Sequence, residues 1–113
     1  MSQECLLCKK IDEELIWEND DLRVILVHEP SLPGFCRVIW NRHVVEMTDL
    51  VPEQRSLLMR TVCLVESVIR QVMQPHKMNL AALGNRVPHI HWHVIPRFED
   101  DVYFPDSVWS AKQ

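Results

Sequence analysis

Glycine is nearly absent from this chain: its 113 residues hold two. A glycine-rich loop that wraps phosphates in backbone N–H groups is therefore excluded. Excess positive charge is missing as well. Twelve Lys and Arg stand against 16 Asp and Glu, for a formal net charge of −4. That balance offers no electrostatic footprint for duplex nucleic acid, so a phosphate-bearing ligand must be held by local donors. No apolar run approaches the ~20 residues that cross a bilayer. The opening Met1-Ser2-Gln3-Glu4-Cys5 has no basic stretch leading into an apolar one, which argues against a secretory leader. Internal repeats and low-complexity segments are also lacking. These absences lead us to expect a cytoplasmic protein with no nucleic-acid or membrane partner. Its four cysteines, Cys5, Cys8, Cys36 and Cys63, should then be reduced.

What remains is a globular composition, 47% hydrophobic and 25% charged. The length fits one domain over 1–113, which buries roughly two-thirds of the surface of its unfolded chain and needs no disulfides. Two strands, Glu14 to Glu18 and Leu22 to Val27, flank the turn-prone Asn19-Asp20-Asp21. A third runs from Phe35 to Trp40. Pro52 suits the first turn of a helix, although Val51 is a poor cap. Leu58, Val62, Val65, Ile69 and Val72 then recur at helical spacing as one core face, up to Gln74-Pro75. Met78 to Leu83 and Val87 to Ile95 read as a fourth and a fifth strand. The pattern is α+β: a largely antiparallel sheet with one long helix packed across it. Cys36 and Cys63 lie in apolar stretches and are expected in the core.

The fifth of these segments carries the densest chemistry: Pro88-His89-Ile90-His91-Trp92-His93-Val94-Ile95-Pro96. Strand side chains alternate faces, so the three histidines would line one face at spacings of roughly 6–7 Å. Histidines scattered as ordinary filler rarely fall at i, i+2, i+4 between apolar partners. A neutral imidazole is a competent nucleophile near pH 7. Attack on phosphorus requires one fixed tautomer, which a backbone carbonyl can impose, and a second imidazole to meet the phosphoryl oxygens or the leaving group. His91, flanked by His89 and His93, can meet both requirements.

This run resembles the signature of the histidine triad family, His-φ-His-φ-His-φ-φ with φ apolar. The blocks Pro33-Gly34-Phe35 through Ile39 and Asn41-Arg42-His43 are similar to the family's strand-and-histidine block, and the long helix comes in the same order. The resemblance implies a five-stranded antiparallel sheet with a helix, usually in a homodimer, and hydrolysis or transfer of nucleotides at the α-phosphate. It implies that His91 is the nucleophile and His93 the phosphate and leaving-group contact. His at position 93, where Gln would mark the uridylyltransferase branch, favours the hydrolases. Diadenosine polyphosphates or nucleoside phosphoramidates are then the expected substrates.

Substrate contacts are expected in Leu83-Gly84-Asn85-Arg86-Val87-Pro88, which is shorter and poorer in glycine than in many family hydrolases. Gly84 opens this loop, Asn85 offers an amide for a phosphate oxygen or water, and Arg86 either reaches a distal phosphate or is a solvated loop charge. His28 and Glu29, after the second strand, are the candidates for the ribose. The resemblance also makes Trp109, in the C-terminal segment, a candidate to approach a partner's site.

Cys5-Leu6-Leu7-Cys8 is a C-x₂-C pair, which in a reducing compartment reads as half a zinc site or as a redox pair without its usual βαβ context. Some histidine triad proteins complete such a site with a histidine after the third strand and the first triad histidine, here His43 and His89. Cys5, Cys8, His43 and His89 would make a closed structural zinc site. Two buried thiols, with His89 bonded to backbone, are the competing reading. At the level of function the alternatives are a nucleotide hydrolase, a nucleotide-binding or sensing dimer with little turnover, and a purely structural metal protein, which leaves His91 and His93 unexplained.

Overall fold

The computed structural model describes residues 5–112; the four residues before Cys5, read above for a leader, lie outside them. Five strands form one antiparallel sheet: β1 (Glu14–Glu18), β2 (Leu22–Leu26), β3 (Cys36–Trp40), β4 (Lys77–Ala81) and β5 (His91–Arg97), in the spatial order β1-β2-β3-β5-β4. A short helix α1 (Leu6–Lys9) precedes the sheet, and the long helix α2 (Pro52–Met73) joins β3 to β4. The α+β expectation of five antiparallel strands and one long helix therefore holds. No helix among the described residues is long and apolar enough to cross a membrane.

Period-two alternation divides the sheet into two faces. Leu22 and Val24 of β2, Cys36, Val38 and Trp40 of β3, Met78 of β4 and Val94 of β5 pack with Leu58, Val62 and Ile69 of α2 in the main core. The opposite face carries Arg23, Ile25, Arg37, Ile39, His91, His93, Ile95 and Arg97. Two arms cover it. Cys5 and Leu7 pack on Ile25 and Ile39, and Tyr103 and Val108 of the C-terminal segment pack on Leu32, Phe35 and Ile95.

Each arm is fixed by a buried arginine. Arg23, 1% exposed, forks onto Glu13 at 2.8 Å through both Nε and Nη2, and Nη2 also donates to the carbonyl of Leu7 at 2.6 Å. Arg97, 2% exposed, donates to Asp101 at 2.6 and 3.1 Å and to Asn79 at 2.9 Å. Asp101 also accepts from the N–H groups of Tyr103 and Phe104 at 2.8 and 2.9 Å, which starts the turn that lays the C-terminal arm on the sheet.

The helix begins at Pro52 as expected, and the poor cap at Val51 is compensated: the Gln54 side chain reaches back to accept from Val51 N–H at 2.9 Å. The predicted core stripe holds through Ile69, with Val65 half-buried, but Val72 is 76% exposed. From Ile69, a step of four residues turns the helix by about 40°, whereas a step of three falls about 60° short. Met73 therefore takes the core position. It lies so close to Gly34 that a Cβ there would stand 2.3 Å from the Met73 sulfur, and the φ of +83° at Gly34 also suits glycine. Cys63, expected in the core, is exposed on the outer side of α2.

The Arg97–Asp101 pair makes the C-terminal arm sensitive to acid. The arginine's hydrogen bonds hold the Asp101 carboxyl below its ordinary 3.8. A carboxyl lowered in the folded state stabilises fully above its unfolded pKa and loses that contribution as pH falls through the folded value. Asp101→Asn should therefore cost about 3 kcal/mol near pH 7, or a Tm lower by on the order of 10 °C. The gap to the unsubstituted protein should close as pH drops below about 4. Thermal melts at several pH values check both.

Candidate active site

The fifth strand starts later than the alternation suggests. It runs from His91 to Arg97, not from Val87, and the fourth strand likewise ends early at Ala81. Before His91 the chain bends: Pro88 has no N–H to give, His89 N–H donates to Val87 O at 2.8 Å, and Ile90 N–H donates to Val44 O at 2.9 Å. His89 therefore does not share a strand face with the other two histidines. It is 1% exposed and occupies a junction.

Four hydrogen bonds define that junction. His89 Nε2 lies 2.5 Å from the carbonyl of Trp40. A carbonyl only accepts, so this nitrogen carries the proton and Nδ1 keeps a free lone pair. Nδ1 faces Cys5 Sγ and Cys8 Sγ, each at 3.4 Å. The backbone carbonyl of His89 meets His91 Nδ1 at 2.6 Å. By the same argument His91 is protonated on Nδ1, leaving Nε2 as a bare nitrogen.

The cysteines reach this place because α1 places the C-x₂-C pair on a single helical turn, which Arg23 ties to the sheet through Leu7 O. Cys8 Sγ is also 3.3 Å from His43 Nδ1. The four ligand atoms of Cys5, Cys8, His43 and His89 lie within 4.8 Å of one another, so the cluster can hold a metal ion. Burial, reinforced by Cys5, raises the Cys8 thiol above its ordinary value. The Cys8 thiol then stays protonated until a cation beside it reverses that preference.

His91 and His93 do share a strand face. Their ring centroids are 4.9 Å apart and nearly perpendicular. Burial lowers the pKa of His91, against the opposing pull of its bond to His89 O. His93 is pushed down to about 4 by burial, then by the neighbouring charges of His91 and Arg37. Both rings are neutral near pH 7, the state a nucleophile requires. The indole of Trp109 packs on His93 of its own chain, with centroids 5.0 Å apart.

A cavity of about 380 Å³ opens beside His91, within the range that takes small ligands. Leu6, Leu7, Ile11, Ile25, Leu26 and Val27 give it an apolar wall; Asp12, Glu13, His28, Arg37 and His91 are its polar groups. Two larger concavities, of about 790 and 500 Å³, lie along α2 and beside β4 and contain none of the three histidines of the run. The smaller cavity is the one that brings His91 together with other polar groups.

Of the other residues singled out from the sequence, His28 reaches the rim of this cavity, with its Nε2 2.6 Å from Glu14. Glu29 points elsewhere and accepts from Ser31 N–H at 3.1 Å. Gly84 lines a separate depression of about 70 Å³ on the other side of His91. Asn85 and Arg86 are exposed at the tip of the same loop. Sequence reasoning missed Arg37, whose Nε donates to His93 Nδ1 at 3.3 Å. The signal was there: one charged residue inside the apolar run Phe35-Cys36-Arg37-Val38-Ile39-Trp40 must be either a fault or a feature.

Known proteins share this architecture and sequence. A family model described as HIT domain matches residues 8–100. The bis(5'-nucleosyl)-tetraphosphatase [asymmetrical] of Schizosaccharomyces pombe is 36% identical over 87 residues, which cover 73% of this chain and 48% of that protein. The AP-4-A phosphorylase of Mycobacterium tuberculosis is 32% identical over 89 residues, covering 74% of this chain and 46% of that one. The chain thus spans about half the length of these curated relatives. Among solved structures, a histidine triad protein from Bradyrhizobium japonicum superposes with a TM-score of 0.83 at 30% identity, over 93% of this chain and 78% of that one. With its five-stranded sheet, the His91–His93 pair on one face and a family match over most of its length, the chain belongs to the HIT domain family.

Proposed function

We propose that this protein is a nucleotide hydrolase, or a nucleotidyl transferase, that attacks an α-phosphate through a nucleotidyl-histidine intermediate on His91. One observation carries the reading: His91 Nδ1–H is held by His89 O at 2.6 Å, so a neutral ring presents an unprotonated Nε2 beside a ligand-sized cavity. The names of two relatives, a tetraphosphatase acting on bis-nucleosyl compounds and an AP-4-A phosphorylase, support nucleoside phosphate derivatives as substrates. Diadenosine polyphosphates and nucleoside phosphoramidates are the candidate classes.

The chemistry divides into two displacements. Nε2 of His91 attacks the α-phosphorus while the bond to the leaving group breaks. The positive charge that develops on the ring is stabilised by its hydrogen bond to His89 O. Water, or another acceptor, then attacks phosphorus and the P–N electron pair returns to His91. His93 contacts the phosphoryl oxygens or the leaving group from 4.9 Å away, centroid to centroid. The apolar wall of the cavity suits a base, and His28 at its rim suits a ribose. Gly84, Asn85 and Arg86 are proposed to meet the substrate from the other side of His91, and Glu29 to act only from a distance.

His91→Asn should lower kcat by at least about 10³-fold without changing the melting temperature appreciably. His93→Ala should cost about 10²–10⁴-fold. Steady-state assays with diadenosine tetraphosphate and adenosine 5'-phosphoramidate measure both. Nucleotide binding without turnover of either substrate would favour a sensing role instead.

We further propose that Cys5, Cys8, His43 and His89 hold zinc. Tetrahedral zinc, at about 2.3 Å from sulfur and 2.0 Å from nitrogen, sets neighbouring S and N donors roughly 3.5 Å apart. Three of the four S···N separations here are 3.3 to 3.4 Å, and all four donor atoms lie within 4.8 Å of one another. The Trp40 carbonyl already fixes the His89 tautomer that ligation requires. A closed Cys₂His₂ set of this kind supplies cross-linking and no open coordination position. Protein purified without chelator should contain one zinc per chain by elemental analysis. Chelation should lower Tm, and Cys5→Ser should do the same. Metal-free protein whose Tm ignores chelator would leave the cysteines as ordinary thiols.

A homodimer in the cytoplasm completes the proposal. Leu64, Val68 and Val72 form a stripe at i, i+4, i+8 on α2 and are 63%, 50% and 76% exposed in one copy. A second chain is proposed to cover such surface. Light scattering at micromolar concentration should give twice the monomer mass.

A further inference from the structure

Three arginines stand on the sheet face that carries His91 and His93, and two of them are matched. Arg23 is satisfied by Glu13 and Asn41, and Arg97 by Asp101 and Asn79. Arg37 is not. It is half-buried, and no carboxylate pairs with it among the described residues. Glu13, whose charge reaches it, is committed to Arg23. Its Nε donates to His93 Nδ1 at 3.3 Å, and its guanidinium lies 5.4 Å from the centre of the Phe35 ring. The two terminal nitrogens have no acceptor among the described residues, and the side chain lines the same cavity as His91. A half-buried cation without an anion is costly unless a ligand supplies one.

We propose that Arg37 is the specificity-determining residue of this site, a fixed guanidinium fork that receives the phosphates of a polyphosphate leaving group and selects against amine leaving groups. The proposal rests on the reading of His91 as nucleophile. Its chemistry follows from the hydrogen bond to His93. Arg37 cannot accept, so His93 Nδ1 must be bare and the ring's single proton sits on Nε2. A neutral imidazole in that form donates a hydrogen bond but does not give up its proton. An amine leaving group needs a proton as its P–N bond breaks, and His93 does not supply it. A phosphate leaving group needs none. As the His91 Nε2–P bond forms, the bridging P–O bond breaks and its electron pair stays on the departing phosphate oxygen. Arg37 meets that charge with two parallel N–H groups, the geometry in which guanidinium surpasses ammonium.

The test compares the unsubstituted protein with Arg37→Leu and Arg37→Lys in three measurements. In turnover, Arg37→Leu should lose about 10²-fold in kcat/KM for diadenosine tetraphosphate and only a few-fold for adenosine 5'-phosphoramidate. Arg37→Lys should recover part of the first loss. In calorimetry, Arg37→Leu should weaken inorganic pyrophosphate at least about tenfold and leave adenosine unchanged. In ¹⁵N NMR of the unsubstituted protein, His93 should show a bare Nδ1 and a protonated Nε2, and Arg37→Leu should lose that fixed tautomer. Equal losses on the two substrates, pyrophosphate binding indifferent to Arg37, or a protonated His93 Nδ1 would each overturn the proposal. Turnover that survives His91→Asn, or no turnover of either substrate, would instead contradict the nucleophile reading. The pyrophosphate and NMR measurements would then still decide on Arg37.

Discussion

The backbone carbonyl of His89 is the constraint on which the site depends. It accepts from His91 Nδ1–H and so determines which nitrogen of His91 is bare. That carbonyl points correctly only because the His89 ring is itself held, by the Trp40 carbonyl on one side and by the Cys5 and Cys8 sulfurs on the other. One residue thus belongs to two devices. Its side chain completes the metal-capable cluster, and its backbone sets the tautomer of the proposed nucleophile. A strand beginning at Val87 would have spent that carbonyl on a ladder hydrogen bond. The bend at Pro88 and His89 leaves it free for His91.

The rest of the fold serves this arrangement by separating two jobs onto two sheet faces. One face buries apolar side chains against α2 and supplies most of the core. The other gathers Arg23, Arg37, Arg97, His91 and His93, a set that would be ruinous unpaired. Arg23 and Arg97 are neutralised in ways that also pin the N-terminal and C-terminal arms. The N-terminal arm walls the cavity, and the two arms together bring Cys5, Cys8 and Trp109 to the histidines. Arg37 is left over, with its charge on the cavity side.

The sheet and the long helix were legible in the sequence because their signals are local: short runs of apolar β-formers in Leu22 to Leu26 and Cys36 to Trp40, and the stripe from Leu58 to Ile69. The pairing of His91 with His93 was legible for the same reason, since both stand at alternate positions of one strand. Placement of His89 was not, because its bend is decided by partners 49 and 84 residues away. Val72 misled because one helical turn too many was assigned to the core. Arg37 was overlooked because a single charge in an apolar run has meaning only once β3 is paired with β5, opposite His93. Arg86 is exposed at the tip of its loop, where a sequence suggests candidates without positioning them.

The most direct test of the account is to trap the covalent species. Rapid acid-free quench of the protein with excess diadenosine tetraphosphate, followed by proteolysis and mass spectrometry, should find a nucleotidyl group on the peptide containing His91. Fragmentation should assign it to that residue, and His91→Asn protein should carry none. Turnover at full rate with no adduct at any time, or an adduct on a residue other than His91, would contradict the mechanism.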